Sequence, residues 1–228
     1  MSERSKDYHD YVFRNGKLVG EFDAMYENSA KTPWNQDQQE DWFDVRVTKE
    51  FLHDLIPFSE IHDMGCGTGH YLELSRKNLG DTECKLVGYD ISLNATKKAK
   101  ALFPDNTYIV ADLTGDEPIS NDLMSSTQSS QRLFIIRGTL WYVFPKLDNV
   151  VKNICGLMKS NDLLLIVQNF PPLSNNFIGK EVIPNHLAIV DNFEPFFHLV
   201  RHMWYENTQK SANDNWFIGL FQKGKKNE

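Results

Sequence analysis

Cysteine is scarce in this sequence, and the few that occur are too far apart to build the usual cysteine sites. The chain has three, Cys66, Cys84 and Cys155, and no Cys-x-x-Cys pair. A structural zinc site or a disulfide framework needs closely spaced or paired cysteines, so we expect neither. Unpaired thiols are typical of the reducing cytoplasm, which is the location that we expect.

Long apolar runs and an excess of basic residues are also missing. No segment approaches the roughly 20 apolar residues needed to span a bilayer, and the charged opening MSERSKDYHDY is unlike a signal peptide. The 24 basic residues are outnumbered by 31 acidic ones, giving a net charge of −7. This charge argues against a nucleic acid as the main partner. We expect a monomer or homodimer that acts on a small molecule, with no membrane or nucleic-acid partner.

Segments typical of strands alternate with segments typical of helices along most of the 228 residues, of which 41% are hydrophobic. This alternation predicts one α/β domain with a doubly wound, mostly parallel sheet and helices on both faces. Two late segments, 201–206 and 216–222, predict a closing antiparallel pair. The predicted strands are 61–64, 85–89, 108–111, 133–137 and 163–168, and the predicted helices are 70–78, 93–102 and 147–158.

Two segments stand outside this alternation. Residues 1–57 predict an N-terminal cap, in which Asn15-Gly16 between short apolar runs indicates a hairpin and a four-residue apolar spacing indicates a helix over 36–56. Residues 170–198 predict an insertion in the core, which spans residues 58–228 of the same structural domain. We expect both segments near the carboxyl edge of the sheet, where such folds bind ligands. The polar stretch 120–131 predicts a surface connection.

The most informative stretch is DMGCGTGH, residues 63–70, which follows the first predicted strand of the core. Its alternating glycines, Gly65, Gly67 and Gly69, predict a tight turn from strand to helix that a ligand can approach closely. A dinucleotide-binding loop has the spacing GxGxxG, but His70 stands where its third glycine would fall. Asp63 before the loop would repel a phosphate and attract a cationic amino-acid group. The pattern favours S-adenosylmethionine, which carries an ammonium and a sulfonium, over a nicotinamide cofactor.

DMGCGTG resembles motif I of the class I, Rossmann-like methyltransferases, and segments resembling the later motifs follow in order over about residues 56–167. The resemblance implies a seven-stranded, mostly parallel sheet with an antiparallel last strand, and S-adenosylmethionine as the cofactor. It implies that Asp90 in LVGYDIS accepts hydrogen bonds from the ribose hydroxyls and that Asp112 in YIVADLT meets the adenine. The alternative to ligand binding is that Asp90 caps the following helix and that Asp112 is only a turn residue. The implied cofactor contacts from these three motifs are Asp63, Gly65, Cys66, Gly67, Gly69, Asp90, Ile91, Asp112 and Leu113.

The N-terminal segment FDAMYENSAKTPWNQDQQ resembles a bacterial subgroup that includes nodulation protein S and methyltransferases of surface-polysaccharide gene clusters. YVFRNGKLVGEFDAMYEN and NFIGKEVIPN resemble methyltransferases of capsule clusters that make O-methyl phosphoramidate. The resemblance implies that this segment closes over the cofactor, with Tyr26, Trp34 and Gln38 near it; the alternative is that these aromatics only anchor the cap. It also implies a small polar acceptor from capsule biosynthesis, methylated on a phosphoramidate oxygen, a sugar hydroxyl or an amine.

Candidates for catalysis are few. RLFIIRGTLWYVFP resembles motif IV, and its Arg137 and Gly138 replace an acidic or amide pair that many relatives carry. Without that acid, we expect Arg137 to hold an anionic acceptor and to contact the cofactor; the alternative is an arginine that faces solvent. His70, next to the glycine loop, and Tyr142 are the other catalytic candidates.

Several neighbouring residues are weaker candidates. Tyr71 is expected beside the cofactor, and Trp141 is expected in the wall of the acceptor pocket. His186 in the insertion is a possible base. His198 and His202 are four residues apart, a spacing that binds metal on a helix. No acidic third ligand accompanies them, so we expect no metal.

Three other functions compete with a methyltransferase. The Arg137-Gly138 replacement leaves open a non-catalytic cofactor-binding partner or regulatory protein. A dehydrogenase is disfavoured by the spacing of the glycine loop. An RNA methyltransferase is disfavoured by the acidic total and by the lack of a basic stripe.

Overall fold

Helices and strands alternate through the chain, whose residues 5–120, 131–208 and 215–224 are described by a computed structural model. The helices are α1 (His9–Val12), α2 (Phe22–Asn28), α3 (Phe43–Phe51), α4 (His70–Leu79), α5 (Leu93–Leu102), α6 (Leu140–Val143), α7 (Leu147–Leu157) and α8 (His186–Phe193), with 3-10 turns at Pro33–Gln38 and Phe144–Lys146. The strands are β1 (Phe13–Arg14), β2 (Lys17–Leu18), β3 (Phe58–Met64), β4 (Gly80–Asp90), β5 (Thr107–Val110), β6 (Leu133–Arg137), β7 (Leu163–Phe170), β8 (Phe197–Tyr205) and β9 (Asn215–Lys223).

The main sheet has seven strands in the order β5-β4-β3-β6-β7-β9-β8. The pairs from β5 to β7 are parallel, and β9 is antiparallel to both of its neighbours. This confirms the predicted doubly wound α/β fold with an antiparallel last strand. The carboxyl ends of β3, β4 and β6 therefore meet at one edge, where the loops that carry the predicted motifs emerge.

Strands β6 and β7 are apolar over residues 133–136 and 163–167 because both of their faces are covered. Phe134 and Ile136 pack with α7 and α8 on one face of the sheet. Leu133 and Ile135 point to the opposite face and pack with α4. The alternation of side chains along the strands thus divides the core into the two layers that the sequence pattern predicts.

Element boundaries agree best with prediction where the hydrophobic pattern is strongest. The helix over 93–102 and the strand over 133–137 are confirmed to the residue, and the Asn15-Gly16 hairpin is confirmed with both turn residues at positive φ. The continuous helix over 36–56 is wrong. Trp34 and Asn35 adopt left-handed φ values of 52° and 49°, so the chain turns there. Trp42 is extended (φ −66°, ψ 147°), so α3 begins only at Phe43 and ends at Phe51. The predicted connection over 120–131 lies almost wholly outside the described residues.

Among the described residues, no helix has the length and apolar character required to cross a membrane.

The N-terminal cap is anchored to the core at the start of α5. Asp23 of α2 accepts hydrogen bonds from the Ser92 hydroxyl (2.8 Å) and from the backbone N–H of Asn94 (2.8 Å). The Ser92 oxygen in turn accepts from the N–H of Ala95 (3.0 Å) and caps the same helix. Because the first turn of a helix carries partial positive charge and unpaired N–H groups, a carboxylate is favourable there. Asp23 therefore ties the cap to the loop after β4.

We predict that Asp23→Ala lowers the free energy of unfolding by about 1 kcal/mol, since it removes a cap interaction at an exposed helix start. Urea unfolding followed by circular dichroism measures this change. Asp105→Ala, an exposed aspartate just beyond the other end of α5, is the matched control and should stay within about 0.5 kcal/mol of the wild type. Equal stability of both variants would show that the Asp23 contact does not anchor the cap.

Candidate active site

A cavity of about 660 Å³ lies at the carboxyl edge of the sheet, between the cap, the glycine loop and the insertion. Its size falls within the range of roughly 300–1,000 Å³ that is usual for small-molecule sites. The predicted cap, residues 1–57, and the predicted insertion, residues 170–198, both contribute to its wall. The lining includes Tyr8, His9, Phe13, Phe22, Tyr26, Trp34, Asn35, Gln36, Gln39 and Trp42 from the cap, Asp63, Gly65, Cys66, Tyr71, Asp90, Arg137, Gly138, Thr139, Trp141, Tyr142, Val143, Asn169 and Trp216 from the core, and Pro171, Phe177 and Ile178 from the insertion.

The glycine loop is closely packed on both sides. Gly65 and Gly67 have positive φ values of 95° and 54°, which L side chains rarely adopt. A Cβ atom on Gly65 would lie 2.4 Å from the Thr139 hydroxyl, and one on Gly67 would lie 2.2 Å from the Gln36 amide nitrogen. Glycine is therefore required here by backbone conformation and by the close approach of two other segments.

Asp90 holds the glycine loop against the end of β4. One of its oxygens accepts from the N–H of Gly67 and the other from the N–H of Ser92, each at 2.8 Å. Burial raises the pKa of this carboxyl, while the two N–H donors oppose the rise. Each carboxylate oxygen has two acceptor sites, so Asp90 keeps capacity for two ligand hydroxyls in the cavity. The helix-cap alternative and the predicted ligand role are thus compatible in one side chain.

Asp63 is a buried carboxylate in the cavity wall, with only 3% of its surface exposed. Its side chain has no hydrogen bond to any residue that the structure describes. Burial raises its pKa to about 7, the nearby Arg137 lowers it, and the charge of Asp90 raises it further. A buried carboxylate without a partner is costly unless a ligand supplies one. Asp63 therefore suits a cationic group bound beside the glycine loop.

Arg137 lines the cavity but does not face solvent. Its Nε donates to Asp44 Oδ2 at 2.6 Å and its Nη1 donates to Gln39. The guanidinium lies over the ring of Tyr71, 4.5 Å from the centroid, and also over Trp42. Its Nη2 is buried without a hydrogen-bond partner among the described residues. The positive charge that we expected to be free for an anionic acceptor is thus already paired.

The cap closes directly over the glycine loop through Gln36. Its Oε1 accepts from both the N–H (3.1 Å) and the hydroxyl (2.8 Å) of Thr68. Tyr26 and Trp34 line the cavity, whereas Gln38 is exposed and lies outside it. The turn at Trp34 directs Gln36 and Gln39, rather than Gln38, toward the site. No sequence signal distinguishes these glutamines, because their positions follow from the irregular turn.

Six of the predicted site residues do not line the cavity. The His70 ring packs edge-on against Phe103 at 5.3 Å, with its Nδ1 2.9 Å from the Thr68 hydroxyl. Asp112 accepts from the N–H and hydroxyl of Thr114, which matches its turn alternative. Strands β4 and β5 are parallel, and Asp90 pairs with Val110. The residues that follow the two strands, which include Ile91 and Asp112, therefore lie together outside the cavity. The six are Gly67, Gly69, His70, Ile91, Asp112 and Leu113; Ile91 is 49% exposed and Leu113 is buried in the core.

Aromatic residues of α6, β9 and the insertion form one end of the cavity. The indole N–H of Trp141 donates to the carbonyl of Asn169 on β7 at 2.9 Å. Asn169 pairs with Trp216 on β9, and Phe177 of the insertion meets Trp141 edge-on at 5.4 Å. Tyr142 joins the opposite wall, where its ring lies 5.3 Å from that of Trp34 in the cap. This end offers broad apolar surfaces and few charges.

The predicted histidine candidates lie outside this cavity. His186 stacks on Trp204 with ring centroids 4.4 Å apart. His198 and His202 are on strand β8 rather than on a helix, so their spacing separates them by roughly 13 Å. No cluster of three possible metal ligands occurs within the described ranges.

Comparisons with known proteins agree with the fold and the glycine loop. Residues 62–166 match the family described as a methyltransferase domain. No curated protein sequence matches the chain significantly.

Solved structures match over most of the chain. The N-methyltransferase NodS from Bradyrhizobium japonicum, solved with S-adenosyl-L-homocysteine, is 12% identical with a TM-score of 0.61, covering 89% of this chain and 98% of its own. A TehB-like S-adenosylmethionine-dependent methyltransferase from Corynebacterium glutamicum is 17% identical with a TM-score of 0.55, covering 80% and 89%. At these identities the likeness shows the shared fold.

The fold and the domain match point to one class of enzyme. Residues 62–166 match a methyltransferase domain, and the chain shares the fold of S-adenosylmethionine-dependent methyltransferases. Its cavity fits that cofactor, because it offers an unpartnered carboxylate for an ammonium, a second carboxylate with free acceptor sites for hydroxyls, and a glycine cradle without side chains. Asp63, Asp90 and the glycine loop are therefore the residues that would hold it.

We predict that the affinity for S-adenosylhomocysteine depends on pH through Asp63. Below a pKa of about 7 the carboxyl is protonated in the free enzyme, and an ammonium ligand must displace that proton. The affinity should therefore fall about tenfold for each pH unit below the pKa and level off above it. Calorimetric titration across this range measures the effect.

Asp63→Asn should bind weakly and lose this pH dependence, whereas Asp105→Asn, at an exposed aspartate beyond the end of α5, should keep the wild-type curve. A pH dependence that persists in Asp63→Asn would assign it to another group.

Proposed function

We propose that this enzyme methylates the nitrogen of a small amine-bearing acceptor, and that an amino sugar from the synthesis of a surface glycan is the first class to test. The observation that carries this proposal is the charge of the cavity. Of the lining residues within the described chain, only Arg137 is a lysine or arginine, and Asp44 already pairs with it. Asp63 and Asp90 add further negative charge. A phosphate or phosphoramidate oxygen would meet net repulsion there, whereas a neutral or basic amine would not.

The walls of the cavity favour a small acceptor over a macromolecule. The cap covers one side through Gln36 and Trp34, and the insertion covers another through Phe177 and Ile178. Aromatic side chains give a rigid apolar surface against which one face of a sugar-sized ring can pack. The indole ring of Trp141 supplies this surface, and the backbone of Asn169 supplies polar groups beside it. We therefore assign the Trp141–Phe177 end to the acceptor.

The chain contributes to the reaction by binding, orientation and exclusion of water. The bound cofactor supplies an electrophilic methyl group carried on a sulfonium. Trp141, Phe177 and Trp216 would hold the acceptor in line with that group, an alignment that lowers the barrier by fixing the reactants. A neutral amine brings its own lone pair, so no base is needed during the transfer. Burial at the apolar Trp141–Phe177 end, which has few charges, favours that neutral form.

This assignment agrees with two of the likenesses. NodS, whose fold is shared, is an N-methyltransferase. The N-terminal resemblance to methyltransferases of surface-polysaccharide clusters suggests a glycan precursor, and an amino sugar satisfies both. The three free cysteines fit a reducing cytoplasm as the place of this reaction.

The test is a panel of matched acceptors with S-adenosylmethionine, followed by the formation of S-adenosylhomocysteine and the mass of the methylated product. Each amino sugar is compared with its parent hydroxyl sugar and with the corresponding sugar phosphate. We expect turnover with amines and little with phosphates. Trp141→Ala should raise the acceptor KM about tenfold or more, the effect of losing a large aromatic contact. It should leave the affinity for S-adenosylhomocysteine unchanged.

Val200→Ala, an exposed apolar position on β8, is the control and should behave as the wild type. Turnover confined to phosphate-bearing acceptors would contradict the amine assignment. Binding of S-adenosylhomocysteine without turnover of any acceptor would favour the non-catalytic alternative.

A further inference from the structure

Six aromatic rings form a continuous wall of the cavity on the side of the cap. Trp34 is at its centre, with its ring centroid 5.4 Å from that of Tyr8 and 5.3 Å from that of Tyr142. The two pairs are tilted by 59° and 47°, so the rings enclose a corner and do not form a flat stack. The other three rings contact Trp34 or Tyr142. We call this set the aromatic wall; its members, all of which line the cavity, are Tyr8, Phe13, Phe22, Tyr26, Trp34 and Tyr142.

The aromatic wall does more than anchor the cap. The hydrophobic cluster to which it belongs has an inner layer of buried residues, Tyr11, Val12 and Met25, which packs with Ala95 of α5. Five of the six rings of the wall are only half-buried, Tyr26 being the exception. The inner layer anchors the cap, whereas the half-buried layer leaves aromatic surface that a ligand in the cavity can contact.

The electrostatics of the aromatic wall favour a positive charge. The faces of aromatic rings attract cations, and alkylated ammonium groups bind well among several rings. Burial and, next, the charge of Asp90 raise the pKa of Tyr26, so a carboxylate also acts on the wall. Arg137, the only lysine or arginine in the described lining, is already paired with Asp44. A cationic ligand group would therefore meet ring faces and negative charge.

The aromatic wall meets the acceptor end of the cavity at α6. Trp141, which we assign to the acceptor, and Tyr142 of the wall are consecutive residues of this short helix, and both line the cavity. The start of α6 borders open space, because a Cβ on the cavity residue Gly138 would have no atom within 4 Å. An acceptor that packs on Trp141 can therefore direct its nitrogen toward the wall.

Methyl transfer to a neutral amine creates a positive charge on the acceptor nitrogen. The nitrogen lone pair forms the new N–C bond, while the C–S bond of the methyl donor breaks and its electron pair stays on sulfur. We propose that the aromatic wall is a subsite for alkylammonium groups, which binds the acceptor nitrogen in this charged, methylated form. This inference rests on the amine acceptor proposed above.

Such a subsite has a consequence for the product. Ring faces recognise charge and apolar surface rather than N–H groups, so a methylated nitrogen fits them better than a primary one. Once the methylated nitrogen has lost a proton to water, it has a lone pair again. We therefore expect the enzyme to add more than one methyl group to the same nitrogen.

The binding test uses two ligands that differ in one atom. Choline carries a trimethylammonium group, and its neutral tert-butyl analogue has a carbon in place of the nitrogen. Each is titrated calorimetrically into the full-length enzyme saturated with S-adenosylhomocysteine, so that Asp63 already has an ammonium partner. We expect choline to bind about fivefold more tightly, or better, as for a cation–π contact in a partly desolvated site.

Variants of Tyr142 test the ring itself. Tyr142→Leu removes a ring and keeps an apolar side chain, so we expect it to lose most of the preference for choline. Tyr142→Phe keeps the ring and should retain the preference. Phe196→Leu makes the same kind of change at an exposed ring outside the cavity, and as the matched control it should keep the full preference. A general loss of structure would instead weaken the binding of both ligands equally.

The second readout is the number of methyl groups on the product. With an amino sugar and excess S-adenosylmethionine, we expect the mass of a dimethylated product from the wild type and mainly monomethylated product from Tyr142→Leu. Wild-type product that stops at one methyl group would overturn the repeated transfer that the subsite implies.

The outcomes separate this inference from the proposed function. If the wild type binds choline and its neutral analogue equally, the subsite is overturned, while turnover of amines would still support the acceptor assignment. If choline is preferred but no amine is methylated, the proposed function fails and the ammonium subsite stands. The wild-type comparison needs no variant, so the test holds even if Tyr142→Leu does not fold.

Discussion

The carboxylate of Asp90 connects the parts of this molecule that have to meet at the site. It accepts from Gly67 in the glycine loop and from Ser92 before α5. Ser92 donates to Asp23, which carries the cap. One partly buried group thus fixes the loop, and through Ser92 it fixes the segment that covers the loop. Since buried hydrogen bonds to a carboxylate are strong and costly to break, the geometry of the cavity depends on this contact.

The sequence contains enough local information to predict the fold and part of the site. The apolar runs of β6 and β7 reflect burial on both faces, which a single sequence displays directly. The Gly65–Gly69 spacing reflects a local backbone need, and the acids Asp63 and Asp90 follow strands whose carboxyl ends meet at one edge. These features depend on neighbours in the chain or on the regular geometry of a parallel sheet, so pattern analysis finds them.

The remaining features depend on contacts between distant parts of the chain. The pairing of Arg137 with Asp44 joins residues 93 positions apart, and Asp44 occurs in an ordinary amphipathic helix. Gln36 reaches Thr68 only because Trp34 and Asn35 adopt left-handed conformations, which neither residue type predicts. The same pairing changes the interpretation of Arg137 from a free cation for the acceptor to a cation that Asp44 already neutralises. Tertiary contacts therefore decide the chemistry that the motifs only outline.

The most direct test of this account is a calorimetric titration of the wild type and of Asp90→Ala with S-adenosylhomocysteine, with Asp105→Ala as a control and circular dichroism to verify folding. The account predicts binding to the wild type and to the control, and loss of binding in folded Asp90→Ala, because the variant removes the hydroxyl acceptor and releases the glycine loop. Undiminished binding to Asp90→Ala, or no binding to the folded wild type, would contradict it.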